Sequence, residues 1–155
     1  MSSDRIRLRE ATADDLPQVL ALYAQPGMDE GEVISLARAR EIHASFSRYP
    51  SYRLFVANDT DGHLVGSYAL LVMHNLGHQG TPCAIVEDVV VDAPRRSQGI
   101  GRQMMDHALS LAREAGCYKL ALSSNLQRTR AHAFYESLGF ERHGVSFVVQ
   151  SETVA

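Results

Sequence analysis

Apolar and polar positions alternate along this chain in two rhythms, and the rhythms divide it into strands and helices. The opening segment IRLREATADDLPQVLALYAQPG starts with a short alternating run at 6–9 that predicts a strand. Thr12 follows as a helix N-cap with Asp15 three residues later, a box-like pair. Leu16, Val19, Leu20 and Tyr23 then share one helical face, and Pro26-Gly27 ends the helix. A second helix, of weaker periodicity, is expected over 31–47. The runs at 53–58 and 63–75, separated by the turn residues 60–62, predict a hairpin. The loop 76–82 leads into a β-branched strand, 83–91, apolar enough to be buried on both sides. From about 99 to 115, Ile100, Met104, Ala108 and Leu111 align on one helical face, with Gly116 as the stop. Strand 118–124, helix 129–138 (Ala131, Phe134, Tyr135 and Leu138 aligned, Gly139 as cap) and strand 145–150 complete the chain. The order β-α-α-β-β-β-α-β-α-β predicts an α/β fold with a mixed central sheet flanked by helices. There is no internal repeat and no linker, so 1–155 is expected to be a single domain.

The segment VEDVVVDAPRRSQGIGRQMM, residues 86–105, departs from this regular pattern. It carries two acids into an apolar strand, then two arginines and two glycines into the mouth of a helix. A helix N-terminus presents unpaired N–H groups and partial positive charge, which phosphate oxygens satisfy. Glycine lets a bulky ligand approach the backbone, and the guanidinium groups of Arg96 and Arg102 suit phosphate. A P-loop is excluded because no Gly-Lys pair occurs, and a dinucleotide fingerprint because Gly99-Ile100-Gly101 lacks its third glycine. The alternative is a tight strand-to-helix turn with solvated arginines. Within the strand, Glu87 is out of place unless it faces a cleft or a partner. Strict alternation puts it on one face with Val89 and Val91, with Asp88 on the other.

Composition narrows the setting. Hydrophobic residues make up 45% and charged residues 21%, as in ordinary globular chains. A net charge of −3 disfavours a general nucleic-acid or membrane-surface binder. The N-terminus has no signal-like apolar core and no run reaches membrane-spanning length. Cys83 and Cys117 are too few for a disulfide framework and are assigned to packing, so a reducing cytoplasmic setting is expected. The spacing of His74, His78, His107, His132 and His143 matches no zinc pattern, and no metal is expected.

The pattern Arg96-x-x-Gly99-x-Gly101, after a β-branched strand and before a long helix, resembles the acetyl-CoA loop of the GNAT superfamily of N-acyltransferases. AHAFYESLGF (131–140) is similar to that superfamily's late helix, and residues 6–23 to its first strand and helix. The resemblance covers nearly the whole chain and implies the GNAT acyl-CoA N-acyltransferase fold with acetyl-CoA as cosubstrate. It implies that Val89, Val90 and Val91 offer backbone groups to the pantetheine arm. It assigns Arg96, Ser97, Gln98, Gly99, Ile100, Gly101 and Arg102 to the pyrophosphate. It makes Tyr135 the general acid for the departing thiolate, with a core tyrosine as the alternative, and puts its neighbour Phe134 on the cofactor side. Glu87 is the candidate base, with a water chain as the alternative. Many relatives carry an asparagine where this chain has Arg128, three residues after Asn125; both are candidates on the cofactor side.

VEDVVV with GCYKLALS (116–123) resembles the glucosamine 6-phosphate N-acetyltransferases as far as Leu122, whereas the long link to Tyr135 is more like aminoalkylphosphonate N-acetyltransferases. The loop 73–82 offers Asn75, His78 and Gln79 to an acceptor. The expected activity is acetyl transfer to a primary amine of a small molecule. The alternatives are a protein or peptide N-acetyltransferase, or a non-catalytic acetyl-CoA-binding module. The resemblance also implies a homodimer.

Overall fold

A computed structural model describes residues 5–151. These fall into two compact units, one ending at Leu122 and one beginning at Ser123. The first unit is built on a five-stranded mixed sheet in the order β1-β2-β3-β4-β5. Its strands are β1 (Arg7–Glu10), β2 (Tyr52–Asn58), β3 (Leu64–Met73), β4 (Cys83–Val91) and β5 (Leu120–Ala121). The first four pair antiparallel in sequence order, and β5 joins β4 in parallel. The helices are α1 (Leu16–Tyr23), α2 (Leu36–Ser45) and α3 (Ile100–Glu114), the last forming the crossover between β4 and β5. None of the described helices is long and apolar enough to cross a membrane.

The box expected at Thr12 is present and more heavily used than the sequence shows. The Asp15 carboxylate accepts the Thr12 N–H at 2.7 Å, closing a short 3-10 turn ahead of α1. The same carboxylate takes a two-pronged bond from Arg9 of β1, 2.7 Å on each side, and is buried. The Arg9 fork holds the carboxyl below the ordinary carboxylate range, although burial opposes it. Arg9 also donates to Asn58 Oδ1 at 3.0 Å, tying β1 to the end of β2.

Each face of the sheet carries its own core. Leu16, Val19 and Leu22 of α1 pack with Leu54, Val56, Ala69 and Val90 on one face. On the other, α3 buries Ile100, Met104, Met105 and Ala108. Gly66 makes the second contact possible: a Cβ there would lie 2.6 Å from Met104 Sδ and 3.2 Å from the Val90 carbonyl oxygen. Tyr68, fully buried, stacks on Phe55 with ring centroids 5.2 Å apart and shares a 2.6 Å hydrogen bond with His107 Nδ1 on α3. Burial, with Arg53 adding to it, lowers the His107 pKa.

The second unit contains α4 (Thr129–Ser137), close to the expected 129–138. Two expected strands are corrected. The strand read over 118–124 is reduced to Leu120–Ala121. The strand read over 145–150 is absent: these residues have no regular secondary structure, and Phe147 is 93% exposed. Alternating apolar residues make a strand only when a ladder partner takes up their backbone groups, and no such pairing occurs for this segment among the described residues. The helix expected over 31–47 is likewise shorter, starting at the Ser35 N-cap, whose hydroxyl accepts the Arg38 N–H.

Candidate functional site

In β4 the ladder with β3 slips. Ser67 pairs with Val90 and Ala69 with Glu87, so Asp88 and Val89 together stand opposite Tyr68. Asp88 has a φ of 52°, left-handed backbone that an aspartate tolerates better than a β-branched residue. This is a β-bulge, and it overturns the face assignment drawn from strict alternation. Glu87 shares its face with Val90, whereas Val91, opposite Gly66, points with the α3 core. Glu87 is exposed.

Within the first unit, the other edge of β4 is only partly paired. Its pairing with β5 stops at Ile85↔Ala121, so residues 86–91 have no β5 partner. That edge runs directly into the segment expected to hold phosphate. Ser97 and Gly99 have left-handed backbone, at φ 64° and 82°. Such turns aim successive N–H groups into a concavity. Gly99 precedes α3 without any side-chain cap, leaving the first N–H groups of a fifteen-residue helix unclaimed by a side chain, and a Cβ on Gly99 would meet nothing within 4 Å. Arg96, Gln98 and Arg102 are exposed around this mouth, and Ile100 anchors it from inside the core. Arg95 is held by Asp59 at 3.0 Å and by Gln98 at 2.9 Å, fixing the loop to the β2–β3 turn. An open strand edge leading to a helix mouth fits an extended thioester arm ending in phosphates.

Gln25 enters the site without any signal in its sequence neighbourhood. From just beyond α1 its amide donates to the Val91 carbonyl oxygen at 3.2 Å and accepts the Ala93 N–H at 2.5 Å. It therefore fixes the exit of β4 across 66 residues of chain, a separation that no local pattern reveals.

On the α1–α2 face lies a cavity of about 400 Å³, lined by residues of α1, α2, β2 and β3 and by Asp88 at the bulge. Aromatic rings form one wall: Phe46 stacks on Tyr52 at 4.3 Å, and Tyr49 meets Tyr52 edge-on at 5.7 Å. Asp88 keeps an exposed edge, yet burial pushes its carboxyl above the ordinary range, with the charge of Asp29 adding to the shift. Burial also pushes the Tyr23 phenol up, and Asp88 acts in the same direction.

Asn75, His78 and Gln79 do not line this cavity. The Asn75 amide donates to the Thr81 carbonyl oxygen at 2.9 Å, closing its own loop, and the His78 ring stacks on Tyr118 at 4.5 Å, tying that loop to the segment before β5.

In the second unit, Tyr135 sits between Phe134 and Phe140, with ring centroids 5.2 and 5.7 Å away. Burial raises its phenol pKa and Arg128 partly offsets this. Asn125 caps the approach to α4: its side-chain oxygen accepts the Gln127 N–H and its carbonyl oxygen bonds His132 Nε2.

The acetyltransferase (GNAT) family pattern matches residues 12–140. The aminoalkylphosphonate N-acetyltransferase of Salmonella typhimurium is 32% identical over 142 residues, 90% of this chain and 88% of that one. The glucosamine 6-phosphate N-acetyltransferase of Trypanosoma brucei brucei is 35% identical over 82 residues, 53% of this chain and 54% of that enzyme, so the match spans about half of its length. Among solved structures, an acetyltransferase from Trypanosoma brucei superposes with a TM-score of 0.81 and 27% identity, over 95% of this chain and 100% of that one.

Proposed function

The chain belongs to the GNAT acetyltransferase family and to its N-acetyltransferases, and on that premise we propose that it moves an acetyl group from acetyl-CoA to a primary amine of a small molecule, by direct transfer. Acetyltransferases of this family use acetyl-CoA as cosubstrate. The observation that carries the reading is the open β4 edge beyond Ile85, which runs from the bulge to the uncapped mouth of α3. Bound acetyl-CoA supplies an activated acyl carbon, whose C–S bond breaks as the acceptor N–C bond forms. Two protons leave the acceptor ammonium; one goes to the departing sulfur and one to solvent.

The residues of the chain divide this work. The backbone of Val89, Val90 and Val91 aligns the thioester arm, a positioning effect that supplies much of the barrier reduction. The segment Arg96 to Arg102 holds the pyrophosphate. Tyr135 is the proposed acid toward sulfur, its phenol kept protonated by burial. Glu87 or water is the proposed base. A walled cavity beside the bulge favours a small acceptor over a peptide, which needs an open groove.

Thiol release from acetyl-CoA, measured across amino sugars, aminophosphonates, polyamines, arylalkylamines and peptides, tests the reading. Release with peptides alone transfers it to a protein acceptor. Donor binding without release for any amine makes the chain a binding module. Gly99→Val tests the donor side. A β-branched residue at a φ of 82° is strained by about 1–3 kcal/mol, and its side chain stands where phosphate would approach. Calorimetry should show acetyl-CoA affinity lower by at least about tenfold, against a modest fall in Tm. An unchanged affinity would take the loop out of the donor site.

A further inference from the structure

We propose, resting on the acetyltransferase reading, that the acceptor is a cationic amine on an apolar, aromatic body without a phosphate group. The chemistry of the cavity on the α1–α2 face carries this. None of the described side chains that line it is lysine or arginine, and His43 is its one imidazole. Two carboxylates, Asp29 and Asp88, line the same space. A phosphate or phosphonate placed there would meet like charge and find no guanidinium or ammonium partner. Arg53, on a strand that helps to line the cavity, stands over the Phe55 ring at 5.1 Å, on the α3 face of the sheet. The relatives named for phosphorus-bearing amines therefore share this chain's family without fixing its acceptor.

The positive features of the cavity point the same way. An ammonium group is attracted both to carboxylates and to the faces of aromatic rings. Asp88 projects from the bulge immediately before Val89, the first residue of the strand segment assigned to the thioester arm, so an ammonium held by Asp88 has its nitrogen close to that segment. The Phe46–Tyr52 stack and the edge-on Tyr49 supply a flat apolar wall for the rest of the molecule. The volume, about 400 Å³, suits an aromatic amine of modest size.

The test uses the full chain with acetyl-CoA and compares phenylethylamine with glucosamine 6-phosphate and aminoethylphosphonate. The kcat/KM for phenylethylamine is expected to exceed those for the two phosphorus-bearing amines by at least about a hundredfold, the loss expected when a charged group is left without a partner. Asp88→Asn should raise the KM for phenylethylamine by at least about tenfold and leave the acetyl-CoA Kd unchanged. Ile42→Arg, which brings a cation to a partly exposed point of the wall, should narrow the preference toward the phosphorus-bearing amines. Faster turnover of either phosphorus-bearing amine by the wild-type chain overturns the inference and leaves the acetyltransferase reading intact. If no amine releases thiol, the acetyltransferase reading fails; direct calorimetry of phenylethylamine then decides the inference, which is upheld by binding that Asp88→Asn weakens and overturned by no binding or binding insensitive to Asp88→Asn.

Discussion

Tyr135→Phe is expected to lower kcat by at least about tenfold while leaving acetyl-CoA affinity unchanged. The substitution removes one oxygen and keeps the ring between Phe134 and Phe140, so packing in α4 is preserved. A proton donor acts only in its protonated form, and burial raises the phenol pKa above its ordinary value of 10.0. The alkaline limb of the kcat profile assigned to this group should therefore lie above that value in the wild type, and the phenylalanine variant should lack it. Circular dichroism and calorimetric donor binding separate a chemical loss from a folding loss. A variant with normal kcat at saturating substrate would remove Tyr135 from proton transfer and leave it a packing residue.

Arg9→Ala should cost about 2–3 kcal/mol of folding stability. Removing one partner of a buried pair strands the other charge, at roughly 3–5 kcal/mol. The lower figure applies here because the Arg9 side chain is 31% exposed, against 8% for Asp15. In the variant, the Asp15 carboxylate keeps the Thr12 bonds and loses both bonds from the guanidinium. For a chain of this length, Tm should fall by roughly 5–10 °C. The folded Asp15 pKa is lowered from 3.8, so the pair contributes fully above about pH 4 and loses its contribution as the pH falls through the lower folded value. Wild type and variant should therefore converge in stability on acidification below about pH 4. A gap that stays constant through that range would mean that Arg9 acts by packing alone.

Most of the sheet is legible in the sequence because period-two alternation and turn residues are local signals. Strand β4 matches its expected limits and the β2–β3 hairpin lies where the pattern puts it. Helix α3 begins at the glycines for the same reason. The short β5 and the missing strand at 145–150 were not legible, because a strand depends on a partner that alternation does not report. In the site, the helix mouth was visible as Gly99 and Gly101 beside arginines. Asp88 is visible as a residue, but strict alternation puts it on the wrong face, since a single extra position in a ladder leaves no mark in residue type. Gln25, Asp29 and the aromatic wall of Phe46, Tyr49 and Tyr52 reach the site from distant segments, and nothing in their spacing ties them to β4.

The slip in β4 also sets a parity rule for mutagenesis. Up to Glu87 the odd-numbered positions of this strand face α1 and α2; from Val90 onward the even-numbered ones do. A substitution library designed on one unbroken alternation would exchange the two cores over the last residues of the strand. It would fit the residue at Val90 to the α3 core, whereas that position packs in the core under α1. Deleting one residue at the slip would make the numbering regular again and give a smoother ladder, at the cost of turning the Asp88 carboxylate away from the cavity.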